Sequence, residues 1–494
     1  MKLKVKELDI SSGGALLVVL NSQDAAKMDL HSLDRVKLSK SGSVETATVH
    51  IAENNHVVQE GSIGIYHEIG KALGLRNGDV VAITLARKPL SLEYIRQKLD
   101  GQKLSKEKID QIVWDITHNK LSDIELTYFV AACYTNTMSM EETVLLTKAI
   151  ASHGAILKFK SKIVMDKHCI GGIPGNRTTM ILVPLMAAAG YTIPKTSSRS
   201  ITSPAGTADT MEVLCCVSFS ISDMQRIVEK TNGCIVWGGA LNLAPADDKI
   251  IHVEKPLEID AESQLLASIM AKKYSVSSTH ILIDIPVGND AKVKGKHEAA
   301  KLKKHFEQIG KKLGKKIRVI LTDGSQPIGN GIGPALEARD VLWVLKRDSK
   351  RPLDLEKKCI MMASEMFAMV GVKNGKHKAM ELLNSGVAYR KIQEIIKAQF
   401  GKELAPEELS LGKFTFEVQA QKSGKIRDID NIVVSRIARV AGAPSNKGAG
   451  LYLHKHIGDK VKRGDVLFTI YSESREKLQY AVDVAHEHAS YIIK

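Results

Sequence analysis

Residues 166–176 read Asp-Lys-His-Cys-Ile-Gly-Gly-Ile-Pro-Gly-Asn, and residues 197–207 read Ser-Ser-Arg-Ser-Ile-Thr-Ser-Pro-Ala-Gly-Thr. The first stretch follows the apolar run Ile163–Met165 and precedes Thr178–Gly190, which is apolar on every side and is therefore expected at the centre of a domain. Strand, glycine-rich turn and buried helix in that order open an α/β unit. Further strand-like runs at Val213–Phe219, Ile235–Trp237, His280–Ile285 and Ile317–Leu321 alternate with helical stretches, which predicts a mainly parallel sheet. Small residues and hydroxyls at the ends of such strands let backbone N–H groups approach an anion. In an open parallel sheet ligands bind beyond the carboxyl ends of the strands. The loops at 167–176, 197–207 and 287–292, the last ending in Lys292, are thus expected to open on one edge.

Outward from this centre, residues 1–85 read as a small β-rich domain, with strands at Ala15–Leu20, Val44–Ile51 and Val80–Leu85 and one helix at Ile63–Leu73. Residues 86–155 read as a helical domain, joined by about 250–275, and carry two capping boxes, Ser122-x-x-Glu125 and Ser139-x-x-Glu142. Leu126, Phe129, Val130 and Cys133 repeat at helical spacing and mark its packed face. The central α/β domain spans 156–345, a helical continuation 346–412, and a C-terminal α+β domain 413–494. The segment 458–470 resembles a β-hairpin of biotinyl-type domains but lacks a modifiable Met-Lys-Met centre. The fold class is α/β multi-domain: a helical domain and a large α/β domain with a mainly parallel sheet, flanked by the β-rich and α+β domains.

Composition narrows the functional classes. A chain of 494 residues, 44% apolar and 25% charged, has the profile of a soluble multi-domain protein. The richest apolar stretch, Met180–Gly190, is too short to cross a bilayer and contains Pro184; the N-terminus lacks an apolar signal core. No membrane partner and a cytoplasmic location are expected. The six cysteines (133, 169, 215, 216, 234 and 359) show no CxxC spacing and read as reduced thiols, with Cys215 and Cys216 on opposite faces of a strand. The net charge of +15 gathers partly on Lys301, Lys303, Lys304, Lys311, Lys312, Lys315 and Lys316, spaced as on one solvated helix. Aromatic residues, 5% of the chain, do not interleave with them, so no nucleic-acid platform is expected.

Two phosphate motifs are excluded. The run Gly175-Asn-Arg-Thr does not supply G-x-x-x-x-G-K-[ST], and no G-x-G-x-x-G is present. Asp247 and Asp248 are adjacent and point apart on any regular element, so no metal is expected there. Ser268 and Lys272, four apart, share one helix face.

With these residues assembled, the chain resembles the thymidine/pyrimidine-nucleoside phosphorylase family, and within it the long branch of AMP phosphorylases and type 2 thymidine phosphorylases. The resemblance covers almost the whole chain. It rests on Lys167-His-Cys-Ile-Gly-Gly, on Ser197 to Asp209, on Ala244-Pro-Ala-Asp247, on Ala267-Ser-Ile-Met-Ala-Lys-Lys273 and on Gln326-Pro-Ile-Gly. It implies phosphorolysis of an N-glycosidic bond without a cofactor, inorganic phosphate being the co-substrate. It also implies a homodimer or larger homo-oligomer. By resemblance, Lys167, Thr179, Ser197 and Thr207 hold phosphate. Gly172, Ser198, Arg199, Ser200, Ile201, Thr202, Ser203, Thr207, Ser268, Lys272 and Lys292 contact substrate. Asp260 is the implied proton donor, with His168 its rival because an imidazole titrates nearer neutrality. Two departures matter. Residues 251–256 read Ile-His-Val-Glu-Lys-Pro, without the arginine that pyrimidine enzymes use on the base, and Cys169 stands where many relatives have serine. AMP is the expected substrate and thymidine the alternative; an inactive binding or assembly protein is the reading from a different class.

Overall fold

The computed structural model describes residues 1–200, 203–254, 256 and 261–494. The chain divides into two units, one made of Met1–His153 with Pro245–Ser268, the other of Gly154–Ala244 with Ile269–Lys494.

The first unit begins with a closed barrel in the order β1-β5-β2-β4-β3-β6, formed by β1 (Lys2–Glu7), β2 (Leu17–Asn21), β3 (Arg35–Lys40), β4 (Ser43–Ala52), β5 (Ser62–Ile65) and β6 (Val80–Leu85). In β1 and β3 alternate residues, Leu3 and Val5, then Val36 and Leu38, are buried inside while the lysines between them face water. Because β1 also pairs with β6, closure leaves no free edge. Helices α1 (Ser22–Lys27) and α2 (His67–Leu73) plug the connections. The helix expected over Ile63–Leu73 is therefore a strand followed by a helix: Ser62–Ile65 pairs with β1 and β2 before the chain turns into α2.

Helices α3 (Ser91–Leu99), α4 (Lys106–Thr117), α5 (Asp123–Thr135) and α6 (Met140–Ser152) form the bundle. Both capping boxes are present, Ser122 with Glu125 and Ser139 with Glu142. Glu142 also reaches inward, accepting from the Leu104 N–H at 2.9 Å and pairing with buried Lys98 at 3.1 Å. Glu125 is shared in the same manner, since Arg35 of the barrel pairs with it.

The second unit carries the parallel sheet. Its strands are β7 (Met165–Cys169), β8 (Ile193–Ser197), β9 (Gly233–Trp237), β10 (His280–Val287) and β11 (Lys316–Asp323). The orders are β11-β10-β7 and β8-β9, joined by a parallel bridge between Val164 and Thr192. Helix α7 (Thr178–Ala188) is buried from Thr178 to Ala187, as its apolar surface requires. Its Met180, Leu182 and Leu185 pack in one core with Leu282 and, further on, with Met366 and Ile392. Helices α8 (Thr207–Met211) and α9 (Ile221–Thr231) connect β8 to β9. The strand expected at Val213–Phe219 does not form: the chain turns there after α8, and Cys215 is buried while Cys216 is exposed without a ladder. The chain then returns to the first unit through α10 (Pro245–Glu254) and passes back to the second within α11 (Glu262–Ser275). Lysine-rich α12 (Lys296–Lys312) ends before Lys315, and Lys316 already begins β11, so the basic run covers a helix and a strand start.

After β12 (Gly331–Ile332), helices α13 (Pro334–Lys346), α14 (Leu353–Met369), α15 (Gly375–Asn384) and α16 (Val387–Ala398) complete the core. The remaining elements are β13 (Phe414–Gln419), β14 (Gly424–Ile429), α17 (Asn431–Val440), β15 (Gly450–Leu453), β16 (Lys460–Val461), β17 (Val466–Ser472), α18 (Arg475–Glu487) and β18 (Tyr491–Ile493). The hairpin expected at 458–470 is not one. Strand β16 pairs with β14, whereas β17 pairs with β13 and β15. Among the described residues no helix is long and apolar enough to cross a membrane, and the six cysteines are free.

Candidate active site

All strands of the parallel sheet point their carboxyl ends the same way, which brings the loops after β7, β8 and β10 to one edge. The first loop is shorter than the sequence suggests. Asp166, Lys167, His168 and Cys169 are strand residues, with Cys169 opposite Asp284 in the ladder, and only 170–177 form the turn. The turn is held from outside. A Cβ at Gly175, whose φ is +71°, would meet the Ile328 carbonyl at 2.3 Å, and the Ile328 N–H donates to the Pro174 carbonyl at 3.1 Å. The Gln326-Pro-Ile-Gly motif is thus a buttress for the first loop. A Cβ on Gly172 would lie 3.4 Å from the backbone N of Lys292, so the first and third loops touch.

Beneath this turn lies a buried charge cluster. Lys167, Lys195, Lys273 and Lys358 are buried, as are Asp166 and Asp284. Lys273 pairs with Asp166 at 2.7 Å and Lys195 with the same carboxylate at 3.7 Å. Lys358 and Lys167 approach Asp284 at 3.3 and 4.0 Å, and the Thr322 hydroxyl donates to it at 2.6 Å. Burial works against the Asp284 carboxylate, but Lys358, Lys167, Thr322 and the Cys169 thiol outweigh it and hold its pKa low. Ammonium groups outnumber carboxylates here. Burial and the neighbouring Lys273 accordingly push Lys195 down to about 7. An incoming anion would relieve that excess.

Several polar atoms face the same need. The Ser197 hydroxyl at the end of β8 and the Asn176 side-chain oxygen are buried without a hydrogen-bond partner, a condition that native sites normally resolve with ligand or water. Lys167 donates to the Thr178 hydroxyl at 2.8 Å, while Thr179 is buried one residue on at the start of α7. His168 is half-buried. Burial, then Lys273, Lys195, Lys167 and Lys272, push its pKa well below the ordinary histidine value, so the neutral ring prevails at pH 7. Cys169 is an inert thiol, pushed up to about 12 by burial and by Asp284.

The second loop is organised differently. Arg177, just before α7, donates to the Thr207 hydroxyl at 2.9 Å and to the Ala205 carbonyl at 2.8 Å, and pairs with buried Glu337. Ser198 accepts from the Ala208 N–H through its carbonyl, and the Ser203 hydroxyl donates to the Ala205 carbonyl at 3.1 Å. Arg199, the formal cation of this loop, pairs with Glu212 at 2.5 Å and Asp209 at 3.3 Å and stacks over Trp237.

The structure thus gathers Lys167, His168, Gly172, Thr179, Ser197, Ser198, Arg199, Ser200, Ser203, Thr207 and Lys292 in the second unit, on and around the sheet edge. Lys272 lies on α11, among the lysines that act on His168. Ser268, in the first unit, donates to Asp247 at 2.9 Å. Ile201, Thr202 and Asp260 lie outside the described residues. Sequence reading passed over Arg177, Lys195, Asp209, Lys358 and the pairing roles of Asp166 and Asp284. The cue for Arg177 was present, an arginine directly ahead of a helix that otherwise has no charged face; Lys195 and Lys358 gave none, one being a lone lysine in a strand and the other half of a Lys-Lys pair on an ordinary helix.

A helical bundle combined with a parallel α/β domain whose loops enclose buried cationic charge defines a pentosyl-transferring glycosyltransferase. Residues 92–154 match the glycosyl transferase family helical bundle domain, 161–389 the a/b domain of that family, and 425–492 the pyrimidine nucleoside phosphorylase C-terminal domain. The fold is shared with anthranilate phosphoribosyltransferase from Thermus thermophilus, at a TM-score of 0.51 and 16% identity over 62% of this chain and 99% of that one. The chain is 45% identical to the AMP phosphorylase of Pyrococcus furiosus over 98% of its own length and 96% of that protein. It is 44% identical to a Legionella pneumophila protein assigned provisionally as a thymidine phosphorylase, over 93% of this chain and 88% of that one. The chain belongs to the family of AMP phosphorylases and thymidine phosphorylases.

Proposed function

We propose that the enzyme phosphorolyses AMP. An oxygen of inorganic phosphate forms a bond to C1′, the bond from C1′ to the base nitrogen breaks, and its electron pair leaves with adenine, which takes up a proton. The products are adenine and ribose 1,5-bisphosphate. The observation that carries this reading is the buried excess of ammonium charge under the first loop. Preorganised cations that do not need to shed water are what an attacking phosphate and a charge-separated transition state require. Lys167, Thr179, Ser197 and Thr207 are assigned to that phosphate. Gly172, Ser198, Ser200, Ile201, Thr202, Ser203, Thr207, Ser268, Lys272 and Lys292 are assigned to the nucleotide.

Asp260 is assigned as the proton donor. The neutral state of His168 supports that choice, since a ring without its second proton gives nothing up as an acid. The nucleotide is favoured over a pyrimidine nucleoside by the absence of an arginine in residues 251–256 and by the named relatives. Thymidine phosphorolysis is the second reading, favoured by Lys272 standing four residues after Ser268. We further assign a cytoplasmic location, in keeping with free thiols. A homodimer through the helical bundle is also assigned, in keeping with exposed Ile124, Tyr128 and Tyr134 on α5. The test incubates the protein and phosphate with AMP, CMP, UMP, thymidine and uridine and measures free base. Release from AMP is expected; release from thymidine and from no nucleotide would replace the proposal with the second reading.

A further inference from the structure

The second loop is closed by one carboxylate. Asp209, almost fully buried on α8, accepts from the Ser200 N–H at 2.7 Å and from the Gly206 N–H at 2.9 Å through the same oxygen. The two ends of the loop are thereby tied to one point. There is no slack in the tie, because a Cβ on Gly206 would lie 2.6 Å from the Ser198 carbonyl oxygen and from Ser200 N. The other Asp209 oxygen faces Arg199 at 3.3 Å and Lys447 at 3.8 Å. Glu212, one turn further along, takes both guanidinium nitrogens of Arg199, at 2.7 and 2.5 Å, and Lys447 at 2.8 Å. Lys447 comes from the segment between α17 and β15, where its own carbonyl accepts from the Ala335 N–H at 3.0 Å. The Arg199 guanidinium lies 4.9 Å from the Trp237 ring centroid. Its terminal nitrogens and one face are therefore engaged before any ligand arrives.

From this geometry we infer that Asp209, Glu212 and Lys447 are positioning residues for the substrate loop, and that Arg199 belongs to their frame instead of touching the substrate. Charge supports the assignment. Arg199 and Lys447 are matched by Asp209 and Glu212, so the frame presents no surplus cation to an anion. What it supplies is shape: the Ser200 and Gly206 amides held on one carboxylate, with the C-terminal region contributing a strut through Lys447. The inference rests on the proposed reading that residues 198–207 face the nucleotide, which makes the loop's shape visible in kinetics.

Full-length Asp209→Asn, Arg199→Gln, Glu212→Gln, the Arg199→Gln/Glu212→Gln double variant and Lys447→Met test it. In Asp209→Asn, ligand-free amide exchange at Ser200 and Gly206 is expected to rise about tenfold or more, as local opening loses its tie. In the same variant kcat/KM for the nucleotide should fall about tenfold or more while KM for phosphate moves less than about threefold, a split that general unfolding would not give. Arg199→Gln and Glu212→Gln should each lose a similar factor, and the double variant no more than either, because they break one unit. If Arg199→Gln is crippled while Glu212→Gln has wild-type kcat/KM, Arg199 contacts substrate directly and the inference falls. Lys447→Met removes only a partly exposed ammonium and should fold normally. A nucleotide KM raised about threefold with an unchanged phosphate KM is expected, and wild-type values for both would remove Lys447 from the frame. Unchanged exchange in Asp209→Asn overturns the frame whatever the substrate. Faster exchange combined with failure of wild-type protein to release base from any nucleotide would overturn the functional reading alone.

Discussion

The two loops that meet at the sheet edge are built on opposite electrostatic plans. Under 166–176, lysines outnumber carboxylates, the groups are buried, and Lys195 is pushed down to about 7 by burial and by Lys273. Around 197–207 the one arginine is matched by Glu212, whose own pKa is drawn down to about 2 by Arg199 against its burial. A cation in a motif is thus no guide to an anion site until its partners are known. The loop that holds an arginine is neutralised. The loop that looks like a glycine turn stands on the surplus charge, and under the proposed function it is there that phosphate gains most.

The sharpest way to break this comparison is Lys167→Met. Removing a preorganised charge from a buried anion site costs about 10²–10³ in rate, so kcat/KM should fall by that order with phosphate KM raised. A loss under about fivefold would mean that the charge under the first loop is structural, and the two plans would no longer map onto two roles.

Backbone substitutions come next. Gly175→Ala places a side chain at a positive φ and against the Ile328 carbonyl, and overpacking of that kind costs about 1–3 kcal/mol. Gly206→Ala meets Ser198 and Arg199 at an ordinary φ, in a loop whose ends Asp209 ties together. Thermal unfolding should register both, Gly175→Ala more strongly because its side chain also sits at a positive φ, whereas Gly206→Ala should in addition raise nucleotide KM. Equal losses of stability would show that both loops are equally stiff.

Sequence legibility divides along the same line. The strands at Val44–Ile51 and Val80–Leu85, the capping boxes at Ser122 and Ser139 and the all-apolar run from Thr178 are local patterns, and the structure realises each of them. The strand expected at Val213–Phe219 failed because its first half is the turn after α8 and its second half is bonded singly, the Cys216 N–H donating to the Gln399 carbonyl and the Trp237 N–H to the Val217 carbonyl, without a ladder. The supposed hairpin at 458–470 failed because β16 and β17 find partners far away in sequence. Candidate ligands on motifs were visible. Their supports were not, since Lys358 meets Asp284 and Lys447 meets Glu212 only through the tertiary fold.

The smallest effects are those of pH, and they separate the two regions by the groups that titrate. For His168 the folded pKa lies below the ordinary 6.5. As pH falls from 6.5 the unfolded chain takes a proton that the native ring refuses, so native stability declines with acid. Lys195 has the same sign at higher pH: between about 7 and 10.5 the unfolded chain holds a proton that the native site has lost, so stability rises with pH across that window. Glu212 is depressed from 4.5 to about 2, and its contribution is whole above 4.5 and lost as pH falls through 2. Amide exchange followed from pH 9 to pH 3, corrected for intrinsic rates, should therefore show β7 and the first loop loosening from pH 6.5 downward while the backbone around the Arg199–Glu212 pair does not loosen until below 4.5. In His168→Gln the loosening of β7 that begins at 6.5 should shrink, leaving the second loop unchanged. Simultaneous loosening of both loops would mean that Arg177, which bridges them through Thr207 and Ala205, couples them more tightly than their separate charges divide them.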